Sequence, residues 1–248
     1  MTHSKLLSFF IGTLLGDSYL NCGRFYCKQI SKDLIEFKAK IIEDYLPGVK
    51  VWVDEHESYI DKNGVSHQKY YQLHTSRHKY FIKLEAMFYH NGKKIYPKGC
   101  VKKLDKLGFA MWYADDGTTI IVQCGRSRRV QLCTDGFTQN EHLDIKSDLE
   151  SFGYNVKIID RARRGQMRIQ INKPYQDFIC SISNYFYHYF PSLLYKMDLG
   201  YRNSSLNSSY VSEKYKSCYL KISAHPEFKD RVKEQLKIRD DIVESTNA

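Results

Sequence analysis

The sequence has little from which a covalently or metal-stapled scaffold could be built. Its seven cysteines, at positions 22, 27, 100, 124, 133, 180 and 218, are odd in number and scattered, with no Cys-x-x-Cys pair. A disulfide framework or a zinc finger needs paired spacings, so neither is expected. Reduced, semi-buried thiols fit an intracellular setting, cytosolic or an organelle matrix. Long apolar runs are missing too. The run 6–15 behind Lys5 has the basic flank of a signal peptide, but it is too short to cross a bilayer. No small-x-small cleavage site follows before Asp17, and a similar run recurs internally at 109–114. Neither secretion nor membrane insertion is expected. Acidic charge is also short: 28 Asp and Glu stand against 38 Lys and Arg, giving a net charge of +10 and a pI near 9.1. Such an excess points to a polyanionic partner, nucleic acid first, against the plainer reading of a solvated basic face.

What is present suffices for a core. The chain has 248 residues, 42% of them hydrophobic, with 20 Tyr and 13 Phe, enough for one large domain or two ordinary ones. Two apolar runs each end in acid: Phe9-Phe10-Ile11-Gly12-Thr13-Leu14-Leu15-Gly16-Asp17, and Phe109-Ala110-Met111-Trp112-Tyr113-Ala114-Asp115-Asp116-Gly117. A carboxylate at the C-terminal end of a helix adds negative charge where the helix dipole is already negative. A chain that does this twice needs those carboxylates for something other than folding.

The segments after each run follow one order. After the first come a strand at 24–30, a helix at 31–46, strands at 49–53 and 69–75 around a turn at 61–64, and a helix at 77–90. After the second come a hairpin of 119–124 and 128–134, a helix opened by the capping box Thr138-Gln139-Asn140-Glu141, strands at 155–161 and 166–172, and a helix at 174–190. The expected fold is therefore α+β: two pseudo-symmetric αββαββα halves, 1–97 and 109–200, joined by a lysine-rich linker at 98–108. Residues 201–248 form a C-terminal extension of unassigned role, with one helix candidate near 226–240.

With two such segments, Phe10–Ser18 and Phe109–Gly117, each followed by the same order of elements, the chain resembles the LAGLIDADG homing endonucleases in their single-chain, two-motif form. The resemblance implies two motif helices packed side by side between the halves, each half an antiparallel sheet saddle with helices on one face. It implies cleavage of both strands of a double-stranded DNA target by a monomer, with Mg²⁺ (or Mn²⁺) as cofactor and no protein or membrane partner. By position in the motif, the metal-binding catalytic acids would be Asp17 and Asp116, with Gly16 and Asp115 in the neighbouring slot. Carboxylates suit the hard Mg²⁺ ion and the charge that phosphodiester hydrolysis develops; the plain alternative for a single Asp is a turn residue.

The resemblance also places a lysine late in each half. Lys94 follows Asp17 by 77 positions and Lys196 follows Asp116 by 80, so these are the expected catalytic lysines, able to stabilise developing charge. DNA would be read by the exposed strand faces: Arg24, Tyr26, Lys28, Gln68, Tyr70, Gln72 and His74 in the first half, and Arg126, Arg128, Gln131, Arg161, Arg163, Arg164, Arg168 and Gln170 in the second. Segment 161–170 holds four Arg and no acid, unlike an ordinary solvated face. An intron maturase, or a nuclease-inactive DNA-binding protein of the same fold, is the alternative. Gly12 and Gly16 offer the first helix a close-contact face; in the second, Met111 and Asp115 occupy those slots and Ala110 and Ala114 form the small pair, so an asymmetric contact is expected.

Overall fold

The computed structural model describes residues 1–62, 64–122, 127–161, 166–173, 175–197 and 213–228. In the first half, α1 (His3–Leu15) leads to β1 (Tyr19–Asn21) and β2 (Arg24–Gln29), then α2 (Lys32–Tyr45), β3 (Val51–His56), the short pair β4 (Tyr59–Ile60) and β5 (Ser66–His67), β6 (Tyr70–Thr75) and α3 (Lys79–Phe88). A small hairpin, β7 (Tyr89–His90) and β8 (Lys93–Lys94), closes the half. In the second half, α4 (Lys106–Asp116), β9 (Gly117–Val122), β10 (Ser127–Leu132), α5 (Gln139–Glu150), β11 (Asn155–Arg161), β12 (Gln166–Lys173) and α6 (Tyr175–Tyr189) repeat the order, ending in a 3-10 turn at Pro191–Met197. Each half holds one four-stranded antiparallel sheet, ordered β1-β2-β6-β3 and β11-β12-β10-β9.

Local signals explain where the helices begin. Thr2, Ser31, Asp105 and Thr138 stand in extended backbone, and each side chain accepts from a main-chain N–H of the first turn. Thr138 and Glu141 close the expected capping box. Period-two alternation places Phe25, Cys27 and Leu73 in one sheet, and Val130, Leu132, Ile169 and Ile171 in the other, in the helix-covered core, all fully buried.

The centre of the molecule is the contact of α1 with α4. Residues Phe9–Leu15 and Leu107–Asp115 are buried all round, as befits helices enclosed between two halves. The contact is close because it is made by glycine. A Cβ on Gly12 would run into the carbonyl of Gly108, and one on Gly108 into Ser8. Ser8 also ties the crossing, donating to Asp105 Oδ1 at 2.6 Å and accepting from the Asp105 N–H at 2.8 Å. Gly108, one turn before Met111, thus supplies the small residue that Ala110 and Ala114 were expected to supply, and the contact is asymmetric as expected.

Helix α2 does not bury a purely apolar stripe. Its buried residues are Leu34, Ile35, Lys38, Ala39 and Ile42, so a lysine stands in the core face while Tyr45 is exposed. In the extension, a helix α7 (Glu213–Ser223) precedes the segment where one was expected; residues 229–248 lie outside the described ones. It packs on α6 through Cys218–Ser183 and Lys221–Asn184 hydrogen bonds and through Lys221 over the Tyr187 ring.

Candidate active site and nucleic-acid interface

Both motif helices end beneath a lysine, although their caps differ: the Gly16 N–H returns to the Thr13 carbonyl and the Gly117 N–H to that of Tyr113. The carbonyls of a helix's last turn lack intrahelical partners, and here a lysine from late in each half supplies one. Lys94 Nζ donates to the carbonyls of Gly16 and Ser18, both at 3.0 Å. Lys196 Nζ donates to those of Ala114 at 2.5 Å and Asp115 at 3.1 Å. Cations are favoured at this end of the dipole. Each lysine is itself placed from below. The β7–β8 hairpin carries Lys94, while Tyr113 Oη and Thr119 Oγ1 donate to the Lys196 carbonyl at 2.7 and 2.9 Å. Burial lowers both ammonium pKa values, and the three neighbouring aspartates oppose that lowering.

The acids differ from one another. Asp17 is exposed, and its Oδ2 accepts from Gln29 Nε2 at 2.6 Å. Asp116 is half-buried; burial first, then Asp17 and Asp115, push its carboxyl up to about 8. Asp115 is fully buried and bound on both oxygens, 2.7 and 2.8 Å, by Lys38 Nζ, which also has no exposed surface. Burial raises Asp115, with Lys38 opposing, and Asp115 in turn holds the Lys38 ammonium above its ordinary value. Gln29 Nε2 donates to Asp115 Oδ1 as well, at 3.1 Å, linking the two helix ends.

The expected residues Asp17, Asp115, Asp116, Lys94 and Lys196 therefore come together, with two qualifications. The Asp115 carboxylate is engaged by Lys38, so it is not a free metal ligand; the Gly16 and Asp115 carbonyls serve the lysines. Lys38 and Gln29 were not anticipated. Both left a signal: Lys38 lies four residues from Leu34 and from Ile42, on the apolar stripe of its helix, and Gln29 continues the inward parity of Phe25 and Cys27.

The outer sheet faces were anticipated in part. In the first half, Arg24 and Lys28 are exposed, and Tyr26, Tyr70, Gln72 and His74 share that face half-buried; Gln68 is exposed just before β6. The face is also aromatic: Tyr19 stacks on Tyr26, Trp52 on His74 and His56 on Tyr70. In the second half, Gln131 and Gln170 lie directly opposite each other and are buried, hydrogen-bonded at 3.3 Å, and an amide ladder continues to Asn172 and Asn155. Arg168 forms a two-point ion pair with Asp135. Arg126, Arg163 and Arg164, and the side chains of Arg128 and Arg161, lie outside the described residues. Strand register gives Arg129, not Arg128, the parity of Gln131.

Comparison with known proteins decides the family. Residues 7–179 match the LAGLIDADG DNA endonuclease family. The chain belongs to it. No curated protein matches this LAGLIDADG chain in sequence. Among solved structures, the homing endonuclease I-WcaI, bound to its DNA recognition sequence, superposes with a TM-score of 0.65 at 24% identity, over 79% of this chain and 88% of that one. Variants of the homing endonuclease I-DmoI match at a TM-score of 0.44 and 16% identity, over 72% of this chain and 93% of theirs. The I-WcaI likeness agrees with the mixed helix and antiparallel-sheet fold of this LAGLIDADG protein.

Proposed function

We propose that this protein is a site-specific, double-strand DNA endonuclease that works as a monomer with a divalent cation. The observation that carries the reading is the duplicated helix end, an acid beside a lysine seated on the terminal carbonyls. The donor chemistry suits a hard cation: Asp17 and Asp116 offer carboxylate oxygens, and burial first, then the neighbouring Asp17 and Asp115, raises Asp116 to about 8. Among the described residues no three His, Cys, Asp or Glu side chains cluster as a complete cage, so water and phosphate oxygens would complete the coordination. When bound by Asp17 and Asp116, Mg²⁺ or Mn²⁺ supplies neutralisation of charge on the scissile phosphate and activation of the attacking water.

The chain's own groups do the rest. Lys94 and Lys196 present fixed ammonium groups beside the acids, where charge develops on the phosphorane, and their seats on carbonyls cost no reorganisation during reaction. The outer faces of the two sheets bind the flanking duplex: Arg24, Lys28, Gln72, Arg168 and the amide ladder are suited to phosphates and base edges of the major groove. Among the described residues no helix is long and apolar enough to cross a membrane.

The test is selection of cleaved sites from a random DNA pool in Mg²⁺, with Ca²⁺ in parallel to score binding without cutting. Asp17→Asn and Asp116→Asn are each expected to lower double-strand cleavage by at least about 10²-fold while DNA binding persists. Tight, salt-dependent binding without any nick would favour the nuclease-inactive reading instead.

A further inference from the structure

The two motif helices differ at one slot, and the difference is sterically enforced. Where α1 has Gly16, α4 has Asp115, and a Cβ on Gly16 would lie 2.5 Å from the Asp115 Cβ. The crossing has room for one side chain there, and the second half supplies it. Its partner comes from the first half. Ser31 and Thr138 are the N-caps of α2 and α5, and the seventh residue beyond each is Lys38 in one and Ile145 in the other, both fully buried. The fold thus accepts an apolar residue at this position, and an apolar replacement of a buried ion pair is often neutral or stabilising. Stability alone does not account for a buried Lys38–Asp115 pair.

The pair's third neighbour is Gln29. Its amide donates to both Asp115 Oδ1 and Asp17 Oδ2. Lys38 holds both Asp115 oxygens, so the Asp115 side chain has one orientation, and Asp115 in turn aims the Gln29 amide at Asp17. Among the described residues, the second half has no such chain. Gln29 stands two residues beyond the core residue Cys27, and Thr134 stands two beyond Leu132, but the Thr134 hydroxyl is engaged with His142 Nε2 and the Met167 carbonyl. Among the described residues, no side-chain hydrogen bond reaches the Asp116 carboxylate.

We infer that Lys38 and Asp115 are a positioning pair for Asp17, acting through Gln29, and that they make the two strand-cutting sites unequal. This rests on the endonuclease reading above. Charge-assisted links of this kind fix the orientation of a ligand group without touching the reacting atoms.

The experiment compares wild type with two variants: Lys38→Ile/Asp115→Gly, which copies into each half the uncharged residue of the other, and Gln29→Ala, which leaves the core intact. Plasmid carrying the selected target, end-labelled on each strand, is cut in Mg²⁺. The ratio of the two strand-cutting rates should change about tenfold or more in both variants, with binding in Ca²⁺ and melting temperature retained. The Gln29 side-chain amide resonance, identified by its loss in Gln29→Ala, should shift in the double variant. An unchanged ratio in folded, DNA-binding Gln29→Ala overturns the inference, whatever becomes of the double variant. A wild type that cuts no DNA overturns the endonuclease reading instead, and an unmoved Gln29 resonance then overturns the positioning chain as well.

Discussion

The two helix ends are alike in carrying a lysine and unlike in their caps and side chains. At each, a lysine from the same late position in its half lies on the terminal carbonyls. Asp17, however, is exposed and held by Gln29, whereas Asp116 is half-buried, without a side-chain hydrogen bond among the described residues, and pushed to about 8. The outer faces diverge in the same way: stacked aromatics and exposed bases in the first half, a buried amide ladder in the second. Backbone geometry set by repeated helix–strand order survives in both halves, while side chains facing the partner half or the outside have taken separate courses.

Three experiments would break or sharpen this comparison. The largest effect is expected from Lys38→Met alone. It leaves the Asp115 carboxylate buried without a cation, and denaturant unfolding should show a loss of about 3–5 kcal/mol. Ile145→Met at the corresponding position of the other half should cost less than about 1.5 kcal/mol. Equal losses would erase the distinction between the halves.

Next come the lysines. Lys94→Met and Lys196→Met should each lower cleavage by about 10²–10³-fold if they stabilise developing charge. Because they occupy matching seats, their effects should agree within about tenfold on that same scale. Single-turnover cleavage in Mg²⁺ measures both, and a silent lysine would show that only one helix end is catalytic.

The last experiment concerns pH. Asp116 is raised from the ordinary 3.8 to about 8, so between those values the folded protein holds a proton that the unfolded chain has lost. Stability of the metal-free protein from this group therefore falls as pH rises from about 4 to about 8 and is level outside that window. Melting temperatures of wild type and Asp116→Asn, measured from about pH 5.5 to 8.5 in chelator, should diverge as the pH rises, the wild type falling below the variant. Binding of Ca²⁺ should strengthen over the same range as the carboxyl gives up its proton. Parallel profiles for the two proteins would show that Asp116 is ionised throughout.

The fold was largely legible because period and capping are local. Alternation at 24–29, the Thr138–Glu141 box and the duplicated apolar run each report their element within a few residues. The acid–lysine pairs were legible as well, through the resemblance to the LAGLIDADG family, with which the matched spacing agrees. Lys38 was harder to see. A lysine at helical spacing between Leu34 and Ile42 reads as a break in an apolar stripe until a buried carboxylate from the other half is brought to it. Gly108 was hidden for a similar reason, since which small residue meets Gly12 depends on how the helices cross. The buried state of Gln131 and Gln170 was not legible either, because alternation assigns them to the polar face without saying how crowded that face is.

By itself the sequence determined the order of the main helices and strands and the two acidic helix ends, since these follow from short-range periodicity and from repetition along the chain; it did not show the short strands Tyr19–Asn21, Tyr59–Ile60, Ser66–His67, Tyr89–His90 and Lys93–Lys94. Only the tertiary structure decided that Asp115 is spent on Lys38, that Gln29 joins the two acids, and that Asp17 and Asp116 have different environments. Those outcomes depend on contacts between residues far apart in the chain, where close packing leaves room for one side chain and low dielectric obliges each buried charge to find its partner.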